Sequence, residues 1–261
     1  MMGEAGHAAL PGVRLWYTDS GGTGAPLVLL HANTGNSDIW AKQAGPFSHA
    51  GHRVIAFDRR GWGRSMAAPA TGPQPGTVAG DLDMLADHLG LARFHLLGVA
   101  GGGFAALDYA SWRTDRLLSL VVGASYGQFI EPDIQAFYQR VATADFQRVP
   151  GLLREVGPTF RGTDPEGTAR WLEIEHHAKQ DGAEAQPLRT PNTYAKIAAI
   201  TCPVLVLAAG ADLYAPPTLM RRWAARLPRH EFDVLPEAGH AINWEQPEAF
   251  NAKVLGFLAR A

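Results

Sequence analysis

The 261-residue chain reads as a single α/β domain on a mostly parallel sheet, and three observations predict it. Short apolar runs without polar alternation take turns with segments of helical periodicity. Glycine and proline sit between these runs as boundaries and form no tract of their own. A composition of 46% hydrophobic and 18% charged residues suits one large core with a modest inserted layer.

Leu15 to Thr18 and Pro26 to His31 flank the segment Asp19 to Gly24, which predicts two early strands joined by a glycine-rich turn. His52 to Phe57 is a third strand, and its unbroken Val54-Ile55-Ala56-Phe57 suits a strand covered on both faces. Pro75 to Leu89 carries Leu82, Met84, Leu85 and Leu89 at helical separations, with Asp81 and Asp83 facing elsewhere. Phe94 to Val99 is an apolar strand that runs without a polar spacer into an alanine-rich helix, Ala100 to Ala110. Leu117 to Val122, Pro203 to Ala209 and Glu231 to Leu235 complete the strands, with helices at Pro217 to Leu227 and Pro247 to Leu258. Strands alternating with helices over this length imply a parallel sheet wrapped by helices. Tyr126 to about Arg189 breaks the alternation but is too apolar for a disordered linker, so it reads as a helical insertion over one edge of the sheet.

The net charge of −2 offers no general attraction for polyanions, and nucleic acid is not expected as a partner. The one cysteine, Cys202, excludes an internal disulfide and a thiolate cluster, and its place at the start of a strand reads as a buried structural thiol. His176 and His177 lack carboxylate neighbours in a metal-ligand pattern, so no metal and no cofactor are expected. Met1 to Leu10 has no leader-like pattern and no stretch reaches spanning length, which leads to the expectation of a cytoplasmic protein without membrane contact. A homo-oligomer stays open.

Gly98-Val99-Ala100-Gly101-Gly102 spans the junction of a strand and a helix, where an abrupt turn needs small residues. Such a turn holds its central side chain in a cleft at a helix N-terminus, which favours developing negative charge. The same glycines also serve a tight passage in an unrelated α/β protein. Asp212 follows one late strand and His240 the last, so the chain order is nucleophile position, acid, histidine. His31 ends a strand near the cleft and reads as a loop fastener, while Asp58 and Arg60 offer local charged hydrogen bonds.

With these motifs the chain resembles the α/β-hydrolase family from its early strands to its C-terminal helix. The resemblance is carried by His31-Ala32-Asn33, Asp58-Arg59-Arg60-Gly61-Trp62-Gly63-Arg64-Ser65, Gly98-Val99-Ala100-Gly101-Gly102, Gly210-Ala211-Asp212 and Gly239-His240. It implies an eight-stranded core made of residues 1–125 and 190–261, with residues 126–189 as a helical cap. It also implies an oxyanion hole from the backbone N–H groups of Asn33 and Gly101, although Ala32 stands where the family usually has glycine. Ala100, Asp212 and His240 then occupy the catalytic positions. Trp40, Tyr126, Phe129, Phe137, Trp171 and Trp244 are candidates to line a pocket for a small carbonyl substrate, each with the alternative of filling the core.

Ala100 has no lone pair and no transferable proton, so it cannot form an acyl-enzyme. Two origins fit: an inactivated form of a hydrolase with serine at position 100, or a protein that uses His240 to activate water directly. Ser125 is a weak substitute because it lacks the sharp turn and the helix N-terminus. The expected function is hydrolysis of a small ester or lactone. A carbon–carbon bond hydrolase and a noncatalytic small-molecule receptor are the alternatives.

Overall fold

The computed structural model describes residues 3–261; Met1 and Met2, which begin the segment read for a leader, lie outside the described residues. Among the described residues nine strands form one sheet: β1 (Glu4–Leu10), β2 (Val13–Asp19), β3 (Pro26–Leu30), β4 (Arg53–Phe57), β5 (Met66–Ala67), β6 (Phe94–Val99), β7 (Leu117–Gly123), β8 (Val204–Ala209) and β9 (His230–Leu235). Their order is β1-β2-β4-β3-β6-β7-β8-β9, with β5 pairing β2 off this path. Eight strands therefore make the continuous sheet, and the ninth is a two-residue addition too short to leave a periodic signal. From β4 to β9 all neighbours are parallel; β1, β2 and β5 are antiparallel to their partners.

The helices are α1 (Ala41–His49), α2 (Val78–His88), α3 (Gly101–Trp112), α4 (Pro132–Val141), α5 (Ala144–Arg148), α6 (Gly151–Glu155), α7 (Pro158–Thr163), α8 (Pro165–His176), α9 (Tyr194–Ala198), α10 (Pro217–Ala224), α11 (Ile242–Glu245) and α12 (Pro247–Leu258). Six of them, α4 to α9, lie between β7 and β8, and α4 to α8 make up the apolar stretch that interrupted the alternation. Two cores flank the sheet. Val28 and Leu30 of β3 point to one with α2, α3 and α10, and Leu27 and Leu29 point to the other with α1 and α12. This double burial explains why the central strands read as unbroken apolar runs.

Two features of the folded chain lie beyond those expectations. The glycine-rich turn joins β2 to β3, but these strands are not neighbours, because β4 lies between them. Asp81 does not face solvent: it is buried on α2 and forms an ion pair with Arg60 at 2.6 Å, while Gln186 donates to its other oxygen at 2.8 Å. Burial pushes the Asp81 carboxyl up from its ordinary value, against the pull of Arg60. Asp83, half-buried, accepts from Tyr109 and pairs with Arg113 and Arg116.

Candidate active site

In this sheet the chain runs outward in both directions from the β3–β6 pair, and a crevice opens at the carboxyl ends where the order reverses. The loops after β3 and β6 meet there. Ala100 directly follows β6 with φ 49° and ψ −118°, and α3 starts at the next residue. A non-glycine side chain in this region costs on the order of 1–3 kcal/mol, so the surroundings must impose the turn. They do so from both sides: the Ala100 N–H donates to Gly123 O at 2.9 Å, and Ser125 Oγ donates to Ala100 O at 2.8 Å. Ser125 is fully buried and belongs to the scaffold of the turn. A Cβ on Gly98 would lie 2.5 Å from Gly102 O, and one on Gly102 would lie 2.2 Å from Leu30 O, so strand and helix pass too closely for any side chain.

Asp212 and His240 arrive on the loops after β8 and β9 and are brought together. His240 Nδ1 donates to Asp212 Oδ2 at 2.8 Å, leaving Nε2 as the nitrogen available for chemistry. The other carboxylate oxygen accepts the N–H groups of Tyr214 and Ala215 at 2.7 and 2.9 Å, which locks its orientation. Burial opposes charge on His240, but Asp212, by charge and hydrogen bond, with Glu155 and Glu245 behind it, pushes the imidazole up to about 9. The Tyr214 ring leans on it, centroid to centroid 4.7 Å.

Asn33 lies over the start of α3, so close that a Cβ on Gly101 would sit 2.3 Å from Asn33 Oδ1. The two loops expected to supply the oxyanion hole therefore converge. His31 fastens this region: its Nδ1 donates to Ala32 O at 2.7 Å, and its Nε2 accepts the Arg59 N–H at 3.0 Å. Burial, with Arg59 nearby, keeps its pKa well below the ordinary value and the ring neutral. Asp58, wholly buried, accepts Ser37 N–H and Arg64 N–H and ties the motif that follows β4 to the turn after β3.

The aromatic candidates separate. Trp171 and Trp244 share with His240, Glu155, Thr34 and Val99 a small cavity of about 10 Å³, room for one water at most. Trp244 is held by its Nε1 donating to Gly167 O at 3.0 Å. Trp40 and Trp244 line a cleft of about 570 Å³ along α1 and the edge strands, but Ala100, Asp212 and His240 do not reach it, so its size alone does not make it the site. Tyr126 stacks on Tyr138 at 4.1 Å and meets Phe104 edge-on. Phe129 is a core residue between Tyr194 and Trp223, and Phe137 packs beneath Arg222.

Glu155, at the end of α6, carries no signal in the sequence beyond its place in the insertion. Its backbone carbonyl accepts Ala241 N–H at 3.0 Å, and its buried side chain faces Thr34 Oγ1 at 3.4 Å. Burial raises its pKa, with His240 pulling the other way. Glu245 binds the insertion to the histidine loop by accepting the N–H groups of Gly157, Gly239 and Ala241. His176 and His177 lie at the end of α8, where His177 Nδ1 caps Glu173 O.

Comparison with known proteins agrees with this architecture. RutD of Variovorax paradoxus, to which carbamate hydrolysis is ascribed, is 33% identical over 262 residues, covering 94% of this chain and 96% of that protein. The 2-hydroxy-6-oxononadienedioate/2-hydroxy-6-oxononatrienedioate hydrolase of Burkholderia vietnamiensis is 29% identical over 95% of this chain and 92% of its own. A thermophilic esterase from Thermogutta terrifontis, solved with malate bound, superposes with a TM-score of 0.80 at 28% identity, covering 100% of this chain and 99% of that one. The parallel strands from β3 to β9, the strained turn and the acid–histidine pair fall in the region of residues 27–253, which match the alpha/beta hydrolase family, and the chain belongs to it.

Proposed function

We propose that this protein hydrolyses a small organic ester or lactone, with residues 126–189 as a cap over a core of residues 1–125 and 190–261. The observation that carries the reading is the Asp212–His240 hydrogen bond at 2.8 Å beside the strained turn at Ala100. In this reading the N–H groups of Gly101 and Asn33 stabilise the oxyanion, Asp212 orients the ring, and Nε2 of His240 handles the proton. The methyl of Ala100 removes the covalent step. A water taking the place of the nucleophile attacks the carbonyl, His240 accepts its proton, and the tetrahedral intermediate collapses as the alkoxide leaves with that proton. An imidazole held at about 9 is mostly protonated at neutral pH, so the water-based rate rises towards alkaline pH and levels above about 9.

The decisive experiment compares the protein with Ala100→Ser on esters and lactones. Serine should raise kcat by at least about 10³-fold and permit an acyl adduct visible by mass spectrometry. His240→Ala and Asp212→Asn should abolish that gain. No turnover by either form on a compound shown to bind would sink the proposal. Cleavage of a carbon–carbon bond is the second reading, favoured by the similarity to the Burkholderia vietnamiensis hydrolase.

A further inference from the structure

Arg59 is a buried cation without an anionic partner. It directly follows Asp58, yet Asp58 spends its oxygens on Ser37 and Arg64. Arg59 is only 5% exposed, and no carboxylate among the described residues lies within ion-pair distance. Its Nη2 donates to two neutral oxygens, Ala32 O at 3.1 Å and Asn33 Oδ1 at 3.0 Å, and its Nε has no partner. A buried guanidinium served only by neutral acceptors is poorly compensated for the water it has lost. The effect shows in its pKa, which burial brings down to about 9.

The surroundings add to the positive potential. Arg59 stacks on Trp62 at 4.6 Å, and Lys179 sits over the same ring at 5.7 Å. Trp62 Nε1 in turn holds Asn33 O at 2.8 Å. Because Arg59 takes Asn33 Oδ1, the amide orientation is set, and Asn33 Nδ2 is left as a donor on an exposed residue above the N-terminus of α3. Arg59 and Asn33 Nδ2 thus bring positive charge and a donor beside the first turn of α3, and no carboxylate among the described residues pairs with the guanidinium.

We propose that Arg59 and Asn33 form a carboxylate subsite beside the turn at Ala100, so that the preferred substrate carries a carboxylate in addition to the bond that is cleaved. The subsite rests on the hydrolase reading for its place in a reaction, but its binding is measurable without turnover. Arg59 is a specificity residue: its uncompensated positive charge favours a carboxylate over a neutral amide.

The test titrates the intact protein with succinate and with succinamide at constant ionic strength, by calorimetry and by Tm. Succinate should bind and raise Tm, and succinamide should bind at least tenfold more weakly. Arg59→Gln should reduce succinate affinity at least tenfold. Asn33→Asp guards against a folding defect in that variant, because it places a carboxylate against the guanidinium: it should raise Tm and remove succinate binding. Equal binding of the two probes, or unchanged succinate affinity in Asn33→Asp, overturns the subsite. Succinate binding without turnover of any ester supports the subsite and counts against hydrolysis; turnover of neutral esters with no succinate binding overturns the subsite and leaves hydrolysis standing.

Discussion

Ala100 keeps the conformation of a turn built to aim a side chain, while the side chain is a methyl group. The backbone at φ 49° is maintained by Gly123, Ser125 and the close passage of Gly98 past Gly102, all of which act whatever residue stands at 100. The strain is therefore separable from catalysis. Ala100→Gly removes the Cβ conflict but enlarges the unfolded ensemble, and the balance should stabilise the protein by up to about 2 kcal/mol. Urea denaturation checks this, and a lower midpoint would mean that the turn is not strained. The need for small residues here was visible in the sequence because it is local. Glu155 and Arg59 were not, since each becomes notable only through burial beside groups distant in the chain.

Among the elements, α2 shows how a helix can hide a charge. Its leucines were legible as one apolar face, and Asp81 was assigned to the other; yet Arg60, from the loop after β4, reaches over to meet it. Periodicity describes one helix, whereas the second face of α2 is covered by a loop and by Gln186 from the far side of the insertion. Removing one partner leaves the other charged and buried, so Asp81→Asn should cost about 3–5 kcal/mol, while the double variant Arg60→Met with Asp81→Leu should recover most of it. Chemical denaturation of the three proteins checks this. A small loss in the single variant would show that water reaches the pair.

For the whole molecule, buried titrating groups set the pH range of stability. His240 is pushed up to about 9 from an ordinary 6.5, so its contribution is complete below about 6.5 and is lost as pH rises through about 9. Glu155 and Glu245, also raised, act in the same sense through their own titration. His95 is lowered to about 4 by burial and by His52, and His31 is lowered as well, so their contribution is present above about 6.5 and lost as pH falls. Tm should therefore peak near neutrality, and its alkaline decline should flatten in Asp212→Asn; a decline unchanged by that substitution would remove His240 as its cause. By itself, the sequence determined the α/β class, most strand positions and the order of turn, acid and histidine, because apolar runs, helical spacing and small-residue turns are short-range properties. Tertiary structure decided that β4 separates β2 from β3, that Asp81 is buried, that Glu155 stands behind His240 and that Arg59 is left without an acid. Those outcomes depend on which distant segments share a low-dielectric interior, and that is settled only when the chain packs.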